Sequence, residues 1–255
     1  MTKSNTVKRI ETARDIVLLR LDGRRILVVS CDSTGAVGPK PMDSLKVDAA
    51  IVGKFTARVA LMEIIAVGAK PICLAMALCV EPVPTGREIM KGVRRELNAS
   101  GFGGVNIVQS SEKNFSVRQT SVGATANGIV DDHHLRMGRC KRGDFVIAVG
   151  TPRVGREVIE GERTGSIADL NVAQDLLELP YVHEIIPVGS GGIMKEASIV
   201  GADSRLHFYP ELKTHVDMTK SAGPATVILC AIVPTKWSQL QKTIDKPLSF
   251  VGELT

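Results

Sequence analysis

The chain reads as a mixed α and β protein with enough apolar content for one large core or two modest ones. Three observations carry this reading. Its 255 residues are 44% hydrophobic, which is ample for burial on that scale. Residues 14–30, RDIVLLRLDGRRILVVS, hold two strand-like runs around Asp22-Gly23, a hairpin signal. Ala49, Val52, Phe55, Val59, Leu61, Ile64 and Ile65 recur at helical spacing before Gly68 and Pro71, which end a helix.

Ile26 to Val29 is β-branched and aliphatic, too short for a buried helix, and is closed by Cys31-Asp32 and a segment with Gly35, Gly38, Pro39 and Pro41. This predicts a buried strand ending at Asp32. A carboxylate at a strand end, followed by glycines and by Lys40, Lys46 and Lys54, suits a site that holds a metal ion against phosphates. The acid ligates a hard cation such as Mg²⁺ through oxygen, glycines let backbone N–H groups approach phosphate oxygens, and lysines offset charge. No G-x-x-x-x-G-K-[ST] loop occurs here. On spacing alone, a solvated turn with a capping Asp fits the same residues. Glu63 shifts the balance, because it lies between Met62 and Ile64 in a helix that is apolar nearly all round. A charge in such a place needs a partner, and a metal shared with Asp32 would supply one.

Further along, Ile72 to Val80 reads as a strand, and Thr85 to Ser100 as a helix with a Thr N-cap. Val105 to Val108 is a short strand that delivers Glu112 into a polar loop, and Thr120 to Val130 is another strand. Asp131-Asp132-His133-His134 invites a metal reading, but adjacent residues on an extended chain point to opposite faces, so a solvated turn is expected. Residues 166–179 have a helical pattern ending before Pro180, and residues 234–244 form a last helix with Trp237. His183 fits a structural hydrogen bond as well as a catalytic base.

Composition narrows the function classes. The net charge of +5 is spread among 27 acids, and aromatics make up 4% of the chain, which speaks against a nucleic-acid partner. A modest positive field suits a small polyanion such as ATP. No apolar run reaches the ~18 residues of a membrane span, and the start MTKSNTVKRIETARD has no secretory apolar region, so a cytoplasmic protein with no membrane partner is expected. Cysteines 31, 73, 79, 140 and 230 include no C-x-x-C pair and are read as reduced core residues rather than zinc ligands.

Asp32, Met62-Glu63 and Gly68-Ala69-Lys70-Pro71 resemble the signature of the aminoimidazole-ribonucleotide synthetase (PurM-like) superfamily, which includes thiamine-monophosphate kinase, selenophosphate synthetase and the hydrogenase-maturation dehydratase. That signature is an aspartate after a strand, then a helix with an Asn-Asp pair and a Gly-Ala-x-Pro ending. Asp15 stands where the kinase branch opens a strand with Asp-Asp-Ala-Ala, and Ser110-Ser111-Glu112-Lys113 stands where Gly-Gly-Asp-Thr is expected. Lys141-Arg142-Gly143-Asp144 and the following strand resemble the start of the second domain, and His183 to Val200 resembles a strand meeting Gly-Gly at a helix N-terminus, a place that attracts phosphate. Ser221 to Val233 resembles the small-residue loop and final core strand.

The resemblance implies an α+β, two-domain PurM-like fold, divided into residues 1–137 for ATP binding and dimerisation and residues 138–255 as an α/β sandwich. Its N-terminal sheet would form a β-barrel across a homodimer, with ATP and Mg²⁺ along the interface. The implied metal ligands are Asp15, Asp32, Glu63 and Glu112. The implied ATP or phosphate contacts are Asp32, Ser33, Lys40, Lys46, Lys54, Ser111, Lys113, Gly191 and Gly192. No catalytic base is assigned. Within the superfamily, ARVALMEIIAVGAKP and the Ser-Ser-Glu-Lys-Asn-Phe loop look closest to the α-ribazole kinases, which phosphorylate the 5′-hydroxyl of that nucleoside in cobamide salvage. Another ATP-dependent activity of the superfamily and a non-catalytic ATP sensor are the alternatives.

Overall fold

A computed structural model of the chain describes residues 8–255; the first seven residues, the start of the segment read as lacking a leader, lie outside it. The N-terminal part runs β1 (Lys8–Ile10), β2 (Ile16–Arg20), β3 (Arg25–Gly35), β4 (Val37–Gly38), β5 (Leu45–Lys46), α1 (Ala49–Ala66), β6 (Lys70–Leu78), α2 (Arg87–Ala99), β7 (Asn106–Ser111) and β8 (Ser121–Asp131). A six-stranded sheet has the order β1-β2-β3-β8-β6-β7. All neighbours are antiparallel except β6 and β7. The expected hairpin is β2 and β3, whose turn is fixed by Asp22: its carboxylate accepts from the Arg24 and Arg25 backbone N–H groups.

The remainder runs β9 (Phe145–Gly150), α3 (Arg156–Arg163), α4 (Leu170–Glu178), β10 (Val182–Pro187), α5 (Gly192–Asp203), β11 (Phe208–Pro210), β12 (Val227–Ile232), α6 (Trp237–Thr243) and β13 (Leu248–Leu254). Its five-stranded antiparallel sheet has the order β10-β12-β9-β13-β11. This sheet is buried on both faces, as its near-continuous apolar strands require. On β9, Ile147 and Val149 join the core shared with α1, whereas Val146 and Ala148 pack in a second core with Ile193 and Ala197 of α5.

Helix α1 is central. It lies between β3 and β8 on one side and α2, α4 and β10 on the other, which explains why its sequence is apolar nearly all round. Gly53 and Gly92 permit the close approach of α1 and α2: a Cβ on Gly53 would sit 2.0 Å from the Ile89 carbonyl oxygen, and one on Gly92 would sit 1.8 Å from that of Ala50. The helix stops at Gly68, whose φ of +82° favours glycine and where a Cβ would meet the His134 carbonyl at 2.6 Å.

Several local expectations need correction. The strand expected to end at Asp32 continues to Gly35, because β8 pairs with it throughout and sets Asp32 opposite Ala124. Helix α2 begins at Arg87 rather than at a Thr85 cap; the Thr85 hydroxyl donates to Glu81 within the preceding turn. All five cysteines are free, but Cys31 and Cys79 are exposed rather than in the core. The Asp131 to His134 segment is the expected turn, with the Asp131 carboxylate accepting from the His133 N–H.

Candidate active site

The site is built from β3 and α1. Ser30 donates to the Ala60 carbonyl at 2.6 Å, and the Thr34 and Thr56 hydroxyls meet at 2.8 Å, so the strand and helix hold a fixed relation. Asp32 on β3 and Glu63 on α1 therefore belong to one rigid frame. Desolvation pushes the Asp32 carboxyl up to about 6, against a hydrogen bond from the Ser33 N–H. Glu63 keeps only partial solvent contact. Desolvation pushes it up to about 8; Arg14 opposes the rise, while the charges of Glu196, Asp15 and Asp32 add to it. Three of the four acids expected to bind metal, Asp15, Asp32 and Glu63, thus share one electrostatic neighbourhood.

Glu112 does not join them. It follows β7, and its carboxylate accepts from the Asn114 and Phe115 N–H groups at 2.6 and 3.1 Å, which hold it below the usual carboxylate range. Both bonds fall on Oε1 and fold the carboxylate back onto its own loop. Among the described residues, no group of three or more His, Cys, Asp or Glu side chains has a metal-holding arrangement. The expected set of Asp32, Glu63 and Glu112 is not gathered within one chain.

The phosphate candidates divide similarly. Lys40 pairs with Glu81, Lys54 with Glu162, and the Lys46 ammonium donates to the Lys40 carbonyl. Lys54 sits on α1. Lys113 and Ser33 are exposed, and Ser111 closes β7. At α5, the Gly192 N–H bonds the Gly189 carbonyl and the Met194 N–H bonds that of Met218, so two donors of that first turn already have partners. The 36–48 segment is held by Asp43, which accepts from the Thr120 N–H, the Thr120 hydroxyl and the Lys40 N–H. His183 bonds Asp144 at 2.6 Å, the structural arrangement allowed for it.

Two residues escaped the sequence reading. Arg14, next to the expected acid Asp15, is buried, bonding Asp203 at 2.8 Å and pairing with Glu184 and the Ile185 carbonyl. It ties the start of β2 to the second sheet and to α5. Glu196 is 7% exposed and its carboxyl is pushed up by desolvation and by the charge of Asp15, against Lys195 and Arg14. Its signal was present: Ile193, Glu196, Ala197 and Val200 follow the spacing of a buried helical stripe.

A cavity of about 450 Å³ opens beside Asp32. Ser33 and Thr34 flank it on the strand, Ile51 and Phe55 on α1, and Val158 and Ile159 on α3. Helix α3 is held in place by a charged cluster: Arg58 is buried, bonding Glu96 at 2.6 Å and Glu162 at 2.7 Å.

Residues 13–130 match the family model described as AIR synthase related protein, N-terminal domain. That stretch is similar to the family's N-terminal domain, and the fold of the chain is PurM-like. Thiamine-monophosphate kinase from Stenotrophomonas maltophilia superposes with a TM-score of 0.64 at 15% identity, covering 100% of this chain and 90% of that one. AaThiL complexed with AMPPCP and TMP gives a TM-score of 0.64 at 13% identity, covering 94% and 84%. T. maritima PurL complexed with ATP gives 0.61 at 17% identity, covering 93% of this chain and 41% of that larger one. No curated protein sequence matches the chain. No described helix is long and apolar enough to cross a membrane.

Proposed function

We propose that the protein is an ATP- and Mg²⁺-dependent kinase of the cytoplasm that phosphorylates the 5′-hydroxyl of α-ribazole, a neutral nucleoside, within cobamide salvage. One observation carries this reading: Asp15, Asp32, Glu63 and Glu196 are drawn into a common neighbourhood in which Asp32 and Glu63 resist ionisation, beside a cavity large enough for a small organic molecule. Carboxylates in such surroundings favour a cation. PurM-like neighbours that carry AMPPCP or ATP support ATP as the phosphoryl donor, and a further fold neighbour is a thiamine-monophosphate kinase.

Hard oxygen donors are what Mg²⁺ prefers, and the desolvation of Glu63, with the smaller push of its acidic neighbours, is what a bound cation would offset. Asp15, Asp32 and Glu63 are the chain's candidates to hold it; because they do not form a three-carboxylate group by themselves, oxygens of the triphosphate and water would complete its coordination. The ion supplies charge neutralisation to the triphosphate. The chain's own contribution is positional: α1 and β3 fix the acids, and the cavity fixes the acceptor. The new bond joins the acceptor hydroxyl oxygen to the γ-phosphorus as the bond to the β–γ bridging oxygen breaks, releasing ADP and the hydroxyl proton.

The outer face of the six-stranded sheet exposes Val17, Ile72 and Val108, at 36%, 39% and 59%. Pairing of two such faces into a barrel would cover them, so a homodimer belongs to the proposal, as does a domain boundary near residue 138. Light scattering at micromolar concentration should give twice the chain mass; a monomer removes the barrel.

A screen of nucleosides with ATP and Mg²⁺, read by mass spectrometry, tests the function. Phosphorylated α-ribazole is the expected product. ADP with an amidine or dehydrated product would favour the synthetase or dehydratase reading, and ATP binding with no ADP would favour a sensor.

A further inference from the structure

We propose that a second cavity, between the C-terminal ends of α1 and α4, is a ligand site of its own and takes a phosphate monoester carried on a flat ring. Its volume is about 310 Å³, at the lower end of the range for small-ligand pockets. It shares no lining residue with the cavity beside Asp32. Ile65 of the last turn of α1, the Gly68 stop and Pro71 of β6 form one side, and Leu177 of α4 and the turn after β8 form the other.

The charge of the lining points to an anion. Lys70, His134 and Arg136 contribute to it, against one acid, Glu178. Among the described residues, none of these three basic side chains is paired with an acid. Arg136 is held by neutral groups instead. Its guanidinium donates to the Val182 carbonyl at 3.2 Å and to the Leu177 carbonyl at 3.1 Å, and its backbone N–H donates to the Val67 carbonyl at 2.9 Å. The carbonyls at the ends of α1 and α4 explain this placement, because helix C-termini attract cations. They fix the guanidinium without cancelling its charge, so little freedom is lost when an anion binds. A dianionic phosphate can accept from several such donors at once.

The surface around the cavity is basic as well. Arg24 and Arg139 are exposed and tied to the same turn: the Asp132 N–H donates to the Arg24 carbonyl at 2.8 Å, and the Arg139 guanidinium donates to the His133 carbonyl. Lys141 and Arg142, both exposed, follow. The acids of this end are already engaged: Asp131 accepts from the His133 N–H, Asp132 pairs with Arg20 at 3.0 Å, and Asp22 pairs with Arg25 at 2.7 Å. A surplus of positive charge there favours the arrival of an anion. The remaining walls call for more than a bare ion. Ile65, Pro71, Phe102 and Leu177 make them apolar, and Phe102 and Leu177 are only half-buried, so a ring seated against them removes apolar surface from water on both sides.

The test is calorimetric titration of the full chain with phenyl phosphate, in the absence of ATP and Mg²⁺, with inorganic phosphate and phenol as the two halves of the probe. Phenyl phosphate should bind roughly fivefold or more tightly than either half, because only the whole probe uses both the cations and the apolar walls. Lys70→Glu and His134→Glu, both at exposed side chains away from the acid cluster, should each weaken its binding roughly tenfold or more while circular dichroism shows them folded. Hydrogen exchange on the parent needs no variant: phenyl phosphate should slow exchange in residues 65–71 and 133–137 and leave residues 33–37 unchanged. No binding, inorganic phosphate binding as tightly as phenyl phosphate, parent-like binding by the folded variants, or protection confined to residues 33–37 overturns the assignment. With neither ATP nor an acceptor present, the result is independent of the kinase reading.

Discussion

Replacing Glu63 by Gln tests whether this carboxyl is held against its preference for a cation's benefit. Its folded value of about 8 exceeds the ordinary 4.5, so the folded state holds the proton more tightly than the unfolded state between those values. Stability from this group is fully present below pH 4.5 and is lost as pH rises through about 8. At ~1.4 kcal/mol per pH unit, the cost of keeping Glu63 is at most about 1 kcal/mol near pH 5.5 and about 4 kcal/mol near pH 8. Gln keeps the volume and removes the titration. In the absence of Mg²⁺, Glu63→Gln should therefore gain little at the lower pH and up to roughly 10 °C in melting temperature at the higher one. The parent–variant difference, followed by calorimetry or circular dichroism, cancels the other titrating groups. Millimolar Mg²⁺ should then raise the parent at the higher pH more than the variant, because a bound ligand stabilises by mass action. A gain that does not change with pH, or a variant less stable than the parent at pH 8 without Mg²⁺, would refute the reasoning.

Three further perturbations follow from the same geometry. Burial raises Glu162, but hydrogen bonds from Arg58 and Lys54 outweigh it and hold the carboxyl at about 2. Its contribution is therefore fully present above pH 4.5 and is lost as pH falls from there through about 2, and Glu162→Gln should cost roughly 1–3 kcal/mol in urea unfolding at pH 7, with no loss marking the cluster as unimportant. Arg14→Met removes the buried cation that Glu184 and Asp203 share and should cost about 3–5 kcal/mol by the same method; a neutral substitution would show that the tie between the two sheets is dispensable. Alkylation at pH 8 followed by peptide mapping should label the exposed Cys31 and Cys79 first and leave Cys140 and Cys230 unmodified, since burial pushes those two thiols up; early labelling of Cys230 would contradict its burial.

The sequence was most legible where one residue pattern answers to one local cause. The apolar periodicity of α1, the Gly68 stop and the Asp22 turn could be read directly because each rests on neighbours within a few residues. The continuation of β3 past Asp32 could not, since residues 33–35 are polar or small and owe their strand geometry to β8, ninety residues away. Strand β13 went unread for a related reason: Leu248 to Leu254 includes Gly252, and its pairing with β9 shifts register between Phe250 and Gly252.

At the site, the acids were visible but their company was not. Glu63 was found because a charge inside an apolar helix is anomalous. The lysines misled because Glu81 and Glu162, which engage Lys40 and Lys54, lie 41 and 108 residues away. Arg14 carries no local signal of its role, because its partners Glu184 and Asp203 come from the second sheet and α5.

The most direct test of the central claim is the stoichiometry of transfer in one reaction. ATP labelled with heavy oxygen in its γ-phosphoryl group, Mg²⁺ and α-ribazole are incubated with the protein, and products are followed by mass spectrometry. The account predicts ADP and label-bearing α-ribazole 5′-phosphate in equal amounts, with both falling by roughly two or more orders of magnitude in Glu63→Gln, as expected when a few kcal/mol of transition-state stabilisation is lost. ADP without labelled nucleoside, or undiminished transfer in the variant, would contradict it.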